Sequence, residues 1–383
     1  MDDRTGSPYP TRLSIRSPLM TVEFIGMIAA EEKSEIHPAN GPTIQPDYIA
    51  RFAQAHEKAG FDRVLIAHNS ADADAVLVAT HAAYATTTLG FMIAHRPGFI
   101  APTYAARMFA SFDVFSGGRG GIHIISGGDG AEQRKDGDFL SHEERYRRTD
   151  EYVGLMRQTW TADAPFTHEG AYYHVENAFA RVKPLQKPHI PVYFGGSSDI
   201  AIAFAAKHAN IYAFWGETLD MARETIAKVR NACARIGRDP ASMKFSLSFR
   251  PVLADTEDAA WAHADRIIER IRDLRGKGVG RFNAKPESVG SQRLLEVAAG
   301  GKVRDKRLWT EVAAAVGAGS NTTSLVGTAE QVAESLLEYN ALGITTFLIR
   351  GFDPLADATD YGRALLPLVR AGAAKAPLPV AAE

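Results

Sequence analysis

Residues 88–126 read TLGFMIAHRPGFIAPTYAARMFASFDVFSGGRGGIHIIS, and this stretch shows the order of structural elements in the chain most clearly. It begins with the apolar run Thr88–Ala94, continues through the helical pattern Pro102–Phe115, and ends with a second apolar run, Gly121–Ser126. Runs that are apolar at consecutive positions are buried on both faces, which is typical of strands in a parallel sheet. The stretch therefore predicts two parallel strands connected by a helix.

The same alternation extends outward in both directions. Counting a strand followed by a helix gives about eight units over roughly 350 residues, which matches a (β/α)8 barrel. A doubly wound sheet is the alternative, but the first strand, Val22–Ile28, is not followed by the Gly-x-Gly-x-x-Gly turn that such sheets use for phosphate. The sequence favours a single α/β barrel domain over residues 21–372, with flexible tails at 1–20 and 373–383.

Two segments are longer than a minimal repeat. Thr161–Pro184 contains His168-Glu169-Gly170 and predicts a β-hairpin. Residues 276–321 precede the eighth strand, are rich in Gly, Lys and Arg, and contain one short helical pattern around Ser291–Ala298. Loops of this length in a compact domain are typical of lids, so we predict a mobile insertion beside the barrel mouth.

Composition excludes several classes of protein. The 383 residues include 43 Lys and Arg against 45 Asp and Glu, so the net charge is −2 and gives no electrostatic reason to bind nucleic acid. No apolar run approaches the roughly 18 residues of a transmembrane helix, and residues 1–20 lack the apolar core of a signal peptide. The single cysteine, Cys233, cannot form an internal disulfide and is expected to pack in the core. We therefore expect a cytoplasmic protein that binds neither nucleic acid nor membrane.

Polar residues recur where the predicted strands end. The carboxyl ends of the strands carry the active site in this fold, so side chains there are candidates for binding and catalysis. Any one of them is also compatible with a structural role, and their recurrence is what favours a site. They are His68, His95, Ser126, Trp215, Ser248, Arg250 and Arg350.

Two further motifs each have two interpretations. Gly195-Gly196-Ser197-Ser198 follows a strand and opens a helix, so it suits either a phosphate group or an ordinary turn with serine caps. His142 and Tyr146 are four residues apart at the start of a long helix and lie on one face of it. They suit either a ligand or a solvated capping turn.

Metal and nucleophile motifs are absent. The sequence has no His-Glu-x-x-His motif, no cysteine cluster and no Gly-x-Ser-x-Gly elbow, so we predict no metal site. A barrel with a candidate phosphate turn and few acid–base groups suits an organic cofactor that supplies the chemistry itself.

Several motifs together resemble the bacterial-luciferase-like flavin monooxygenases, and within them the alkanesulfonate monooxygenase group. The resemblance extends from about Val22 to Leu368, nearly the whole chain. The motifs that carry it are Gln45–Phe61, Pro102–Arg107, Asp113–Arg119, Ile125–Gly127, His142–Tyr146, Tyr193–Ser198, Glu287–Arg293, Leu325–Thr328 and Leu348–Phe352.

The resemblance implies a two-component enzyme that uses O2 and FMN in its reduced form, FMNH2, which a separate NAD(P)H-dependent flavin reductase supplies. It also implies a homo-oligomer, either a dimer or a tetramer. His68 and His95 would border the flavin as catalytic residues, and Ser197 and Ser198 would hold its phosphate. The flavin-binding residues implied are Ser126, His142, Tyr146, Gly195, Gly196, Ser197 and Ser198.

The sequence departs from the alkanesulfonate group around the substrate. No histidine follows the first strand, which continues Ile28-Ala29-Ala30, and the expected cysteine is replaced near Asp72. An Arg-x-His pair reads Ser248-Phe249-Arg250, the expected tyrosine reads Phe352, and residues 317–323 lack the arginine of the mobile loop. The flavin site is thus kept while the substrate pocket is rebuilt.

We therefore predict an FMNH2-dependent monooxygenase that cleaves an organosulfonate to sulfite and an aldehyde. Arg250 is the predicted catalytic cation, and Arg250, Arg350 and Trp215 are the predicted substrate-binding residues, because a sulfonate needs fixed donors. The alternative for Arg250 is a structural pair with a carboxylate such as Glu287. Alternative functions are a dimethyl sulfone monooxygenase, a sulfosugar-specific desulfonating enzyme, a deazaflavin-dependent dehydrogenase, and a flavin-binding barrel without oxygenation.

Overall fold

A computed structural model describes residues 22–280 and 285–375 of the chain. The tail predicted at residues 1–20 lies outside the described residues, as does the part of the predicted C-terminal tail from 376 to 383.

Eight parallel strands close into a barrel, which confirms the predicted (β/α)8 fold. Their order around the barrel is β1-β14-β9-β8-β7-β4-β3-β2, so the first and last strands of the barrel are hydrogen-bonded neighbours. The strands of the described residues are β1 (Glu23–Ile28), β2 (Arg63–Ile66), β3 (Gly90–His95), β4 (Ile122–Ile124), β5 (Phe166–Glu169), β6 (His174–Ala178), β7 (Val192–Phe194), β8 (Ile211–Trp215), β9 (Lys244–Phe249), β10 (Val252–Leu253), β11 (Val303–Arg304), β12 (Leu308–Trp309), β13 (Ser324–Gly327) and β14 (Thr346–Ile349).

Helices surround the barrel, and within the described ranges none is both long and apolar enough to cross a membrane. The α-helices are α1 (Pro46–Lys58), α2 (Ala75–Tyr84), α3 (Pro102–Phe115), α4 (Gly130–Lys135), α5 (His142–Thr161), α6 (Asp199–His208), α7 (Leu219–Arg235), α8 (Glu257–Gly276), α9 (Val289–Ala299), α10 (Glu311–Val316), α11 (Ala329–Ala341), α12 (Pro354–Asp360) and α13 (Leu366–Ala373). A 3-10 turn spans Pro240–Ser242 and a π-helical turn spans Tyr361–Leu365.

Alternation along each strand separates the barrel interior from the helix layer. On β3, Phe91 and Ile93 belong to the large core shared with the helices, whereas Met92 belongs to a small cluster inside the barrel. That inner cluster consists of Ile25, Met92, Tyr193, Ile211 and Leu348, with Leu65 packed against it. Large side chains thus fill one level of the interior, as in other closed barrels.

The chain leaves the barrel twice. Strands β5 and β6 pair antiparallel as a hairpin between α5 and β7. The second excursion includes a four-stranded sheet in the order β10-β13-β12-β11. Helix α8 packs on this sheet through Ile267, Ile268 and Ile271, which share a separate core with Trp309. The excursion therefore begins at β10, earlier than the predicted insertion at 276, and α11 is the helix that packs on the barrel core before β14.

Cys233 is a free, fully buried thiol in α7, in the packing position expected for it.

Candidate active site

The upper level of the barrel interior is lined by small side chains. Strand alternation places Ala94, Gly195 and Ala213 on the same inward face as Met92, Tyr193 and Ile211, one step closer to the mouth. Ser248 is paired in register with Leu348 and shares its inward face. Side chains at this level are therefore smaller than those of the inner cluster below them.

One polar side chain on the inward face was overlooked by the sequence analysis. His123 in β4 is in register with Ala94 on one side and Tyr193 on the other, so it faces the interior. Its Nδ1 atom has no hydrogen-bond partner among the described residues. Burial lowers the pKa of His123 to about 4, so the ring is neutral. The alternation of β4 was the signal that could have found it.

The Gly195-Gly196 turn requires glycine at both positions. A Cβ atom on Gly195 would lie 2.1 Å from the carbonyl oxygen of Ala213, which is backbone and cannot move aside. Gly196 has φ +157°, and a Cβ there would lie 2.8 Å from the Cβ of Ala201. The glycines thus allow β7, β8 and the start of α6 to approach closely.

Ser198 is the N-cap residue of α6, but its side chain makes no capping hydrogen bond. In α5, α7, α8, α9 and α11 a Ser or Thr at the N-cap does accept a hydrogen bond from the first turn. The first N–H groups of α6 therefore remain available, and a helix N-terminus with free N–H groups attracts anions.

Four hydroxyl groups meet beside this helix start. The Tyr146 hydroxyl hydrogen-bonds with the side chains of Ser126 and Ser198, and burial raises the pKa of Tyr146, which keeps it protonated. Tyr212 donates to the Gly196 carbonyl oxygen at 2.6 Å and also hydrogen-bonds with the Ser197 side chain. The structure thus brings together Ser126, Tyr146, Ser197 and Ser198 from the end of β4, the start of α5 and the turn before α6.

His142 lies at the edge of this group. Its ring centroid is 4.9 Å from that of Tyr146, one turn along the same helix. The residue is exposed, and partial burial together with the charge of Arg145 lowers its pKa. Ser141 and Glu144 form a capping box at this helix start. The cap therefore uses these two residues, and the side chains of His142 and Tyr146 take no part in it.

Arg145 supplies positive charge next to the hydroxyl groups and was not predicted. Its side chain donates to the carbonyl oxygens of Ser126 at 3.1 Å, Leu140 at 2.7 Å and Gly127 at 3.3 Å. It is only 5% exposed, and no carboxylate forms an ion pair with it within the described part of the chain. A buried cation bonded only to carbonyl groups favours an anion nearby.

His95 does not lie in the barrel interior, which corrects its predicted catalytic role. It shares the outward face of β3 with Phe91 and Ile93. Its Nε2 atom is 2.8 Å from the Tyr152 hydroxyl in α5, and its ring meets that of Phe109 in α3 edge-on. Burial lowers the pKa of His95 to about 3, so this neutral ring packs between the strand and the helices.

His68 does lie at the mouth, beside Arg96. Its Nε2 atom is buried and has no hydrogen-bond partner in the described part of the chain, and burial and the charge of Arg96 lower its pKa. Arg96 itself forms ion pairs with Glu132 at 2.5 Å and Asp136 at 3.1 Å, which hold α4 against the end of β3. The sequence analysis did not predict these two carboxylates.

Trp215 ends β8 on the inward face and is partly covered by the second excursion. It packs against the small cluster of Leu294, Ala313 and Ala318, and a Cβ on Gly290 of α9 would lie 3.2 Å from its ring. Glu287, just before α9, accepts a hydrogen bond from the backbone N–H of Gly130 at 3.0 Å and does not pair with Arg250. This excursion therefore contacts the mouth at two places.

The two predicted substrate cations are both bonded to a carboxylate. Glu35, in the loop between β1 and α1, accepts from Arg250 through one oxygen and from Arg350 through the other, each at 2.7 Å. Arg250 has no exposed surface, so in this arrangement it is a buried ion-pair partner and not an open anchor. The predicted structural alternative for Arg250 is thus observed with Glu35 in place of Glu287.

Comparison with known proteins gives a family and a fold. A model of the family described as luciferase-like monooxygenase matches residues 22–346. A riboflavin lyase, solved with modified FMN and its substrate riboflavin, is similar with a TM-score of 0.76 and 20% identity over 92% of each chain. An EDTA monooxygenase from Chelativorans sp. BNC1 has a TM-score of 0.72 and 19% identity over 92% of this chain and 94% of that one. An F420-dependent secondary alcohol dehydrogenase, solved in complex with an F420–acetone adduct, has a TM-score of 0.65 and 20% identity over 91% of this chain and 99% of that one.

Proposed function

Because the chain belongs to the luciferase-like monooxygenase family, we propose that it is a two-component monooxygenase that binds FMNH2 supplied by a flavin reductase. In this proposal, one oxygen atom of O2 is transferred to an organic substrate held at the barrel mouth.

The observation that carries the proposal is the cluster of hydroxyl groups beside the uncapped start of α6. Ser126, Tyr146, Ser197 and Ser198 converge there, and Ser198 leaves the helix N–H groups uncapped. With the buried charge of Arg145 behind them, these groups fit a phosphate monoester, as on FMN.

The small side chains of the upper barrel level would border the flavin ring in this proposal. They are Ala94, Gly195, Ala213 and Ser248, and beside them His123 has a neutral ring nitrogen without a partner among the described residues. Reduced flavin, when bound, supplies the electrons that activate O2. The residues of this chain would bind the phosphate, orient the ring, and exclude water where α9 covers Trp215.

The phosphate assignment is tested by comparing FMN with riboflavin in a titration that measures binding. We expect Ser197→Ala combined with Ser198→Ala to weaken FMN binding at least tenfold, because each hydrogen bond to a charged group contributes about 1.5–3 kcal/mol. Riboflavin, which lacks the phosphate, should bind the variant as it binds wild type. Thr218→Ala removes an ordinary N-cap hydroxyl from α7 and is the matched control. An equal loss for both flavins would remove the assignment, and a deazaflavin in the same titration separates the two cofactor classes.

The narrower proposal is an organosulfonate substrate, cleaved to sulfite and an aldehyde. Its support is the pair of cations, Arg250 and Arg350, at the ends of β9 and β14, and its difficulty is that Glu35 already bonds to both. Aldehyde formation from a panel of sulfonates, a sulfosugar and dimethyl sulfone, with FMNH2 and O2 present and sulfite measured alongside, decides among the substrate classes, because oxygenation of dimethyl sulfone releases formaldehyde and methanesulfinate instead of sulfite. Activity on the neutral sulfone alone would overturn the sulfonate proposal.

A further inference from the structure

Three charged side chains from distant parts of the chain meet at one side of the mouth. Arg250 follows β9, Arg350 follows β14, and Glu35 lies seven residues after β1. The Arg250 guanidinium lies 3.6 Å from the centre of the Phe352 ring, and its Nη2 atom also donates to the Gly351 carbonyl oxygen at 2.9 Å. We call this group the Glu35 triad.

The Glu35 triad contains two positive charges and only one negative charge. Two guanidinium groups share one carboxylate, and no second carboxylate pairs with either arginine within residues 22–280 and 285–375. The Nε and Nη1 atoms of the fully buried Arg250 have no hydrogen-bond partner there. Burial and the charge of Arg350 lower the pKa of Arg250 to about 10, as expected for crowded cations.

Buried donors without acceptors and buried charge without compensation are both costly. Such an arrangement is stable when a ligand supplies the missing charge, and it is common at binding sites.

The Glu35 carboxylate has the geometry of an oxyanion ligand. Each of its two oxygens accepts from a different guanidinium at 2.7 Å, which is the short distance typical of charge-assisted bonds. A sulfonate or a carboxylate on a small molecule presents oxygens at a similar spacing. Although burial alone would raise the pKa of Glu35, Arg250 and Arg350 hold it well below its usual value, so the group is an anion.

The loop that carries Glu35 is otherwise held by few bonds. Between Ala29 and Gln45 it contains no helix or strand. Its other ion pairs to the body of the protein are Lys33 with Asp72 at 3.2 Å and His37 with Asp353 at 3.6 Å, both between largely exposed side chains. Pairs of this kind contribute little to stability. Next to Glu35, the Ile36 carbonyl oxygen accepts a hydrogen bond from Arg270 at 3.3 Å and the Ile36 side chain packs against the core around Trp309, so the Glu35 triad is one of two attachments at this part of the loop.

We propose that Arg250 and Arg350 form an oxyanion subsite that Glu35 fills in this structure, and that a carboxylate or sulfonate group of the substrate displaces Glu35. The inference rests on the proposed function for the position of the substrate, and it adds that an anionic substrate must compete with the protein's own carboxylate. A neutral substrate leaves the Glu35 triad intact.

The test measures binding of methanesulfonate, acetate and neutral dimethyl sulfone to the full-length protein by calorimetry. Glu35→Gln keeps the size of the side chain and removes the competing charge. We expect it to tighten binding of methanesulfonate or acetate at least tenfold and to leave dimethyl sulfone unaffected. Arg350→Gln should abolish the response to both anions. Unchanged or weaker anion binding in Glu35→Gln would overturn the proposal.

Two further measurements keep the outcome decisive. Glu35→Asp retains the charge but shortens the reach, so it should tighten anion binding less than Glu35→Gln, and it replaces that variant if Glu35→Gln fails to fold. FMN binding is measured on the same samples. If wild type binds FMN and no variant gains affinity for anions, the subsite is wrong while the proposed function stands. If wild type does not bind FMN, the proposed function fails first.

Discussion

The two sides of the barrel mouth differ in how their polar groups are used. On the phosphate side, at the ends of β4 and β7, Ser198 leaves its helix uncapped and Arg145 pairs with no carboxylate of the described residues. On the arginine side, at the ends of β9 and β14, the cations are already bonded to Glu35. The comparison teaches that a cation at a strand end can be held by a carboxylate of the same chain before any ligand binds. Both sides nevertheless keep donors without an internal partner among the described residues, at the uncapped start of α6 and at Nε and Nη1 of Arg250.

The largest expected effect is on the free energy of unfolding, after substitution of Arg250 on the arginine side. Arg250→Met removes the fully buried guanidinium with its hydrogen bonds to Glu35 and to the Gly351 carbonyl oxygen, while Arg350 keeps Glu35 paired, and should lower the free energy of unfolding by about 1.5–3 kcal/mol. Denaturant titration measures it, and Arg363→Met, which removes an exposed pair with Asp360, should change it by less than about 0.5 kcal/mol.

FMN affinity of folded Arg250→Met should equal that of wild type, because the phosphate side lies on other strands. A variant as stable as wild type would mean that Arg250 is not held in the Glu35 triad.

The second prediction compares how the stability contributed by each side of the mouth depends on pH. Glu35 has a pKa well below its usual value of 4.5, so the stability that it contributes is complete above about pH 4.5 and falls only at lower pH. Behind the phosphate side, His95 contacts α5 through Tyr152 and has a pKa of about 3, against 6.5 in an unfolded chain. The unfolded chain takes up the proton more readily, so this stability is complete above pH 6.5 and falls as pH decreases toward 3.

The expected slope is up to about 1.4 kcal/mol per pH unit for this one histidine. His95→Gln should remove that contribution to the slope between pH 6 and pH 4, measured by denaturant titration at several pH values. His174→Gln, at an exposed position on the hairpin, serves as the control. An identical slope in His95→Gln and wild type would show that His95 is not held neutral.

The smallest effect concerns one hydroxyl on the phosphate side. Tyr146→Phe keeps the ring against Phe194 and removes one donor, so FMN affinity should fall roughly fivefold to tenfold, or about 1–1.4 kcal/mol. Tyr152→Phe removes a buried hydroxyl from the same helix, where it contacts His95, and should leave FMN affinity unchanged. Equal affinities for all three proteins would reduce Tyr146 to a packing residue.

The fold was within reach of the sequence because it depends on local pattern. Alternating apolar runs and helical segments predicted the barrel, and the Gly-Gly-Ser-Ser turn at 195–198 lies next to its own strand and helix. The alternation of β3 could have placed His95 correctly. His95 shares one face of the strand with Phe91 and Ile93, and both of those are core residues.

Other features depend on contacts that no local pattern reveals. Glu35 is 215 residues from Arg250 and 315 from Arg350, and nothing in the spacing of charges identifies such partners. The importance of Arg145 depends on the absence of a nearby carboxylate, which is a property of the folded molecule. The start of the second excursion was placed too late because α8 has the amphipathic pattern of a barrel helix while it packs on Trp309.

The position of the Glu35 triad at the junction of β1 and β14 has a consequence for biosynthesis. Strand β1 is made first, yet its register with β14, from Glu23 with Thr346 to Ile25 with Leu348, requires almost the whole chain. During translation β1 therefore has one of its two edges without a partner until the last barrel strand emerges. Contacts of such long sequence separation form late in folding, so the triad completes the mouth only when the barrel closes.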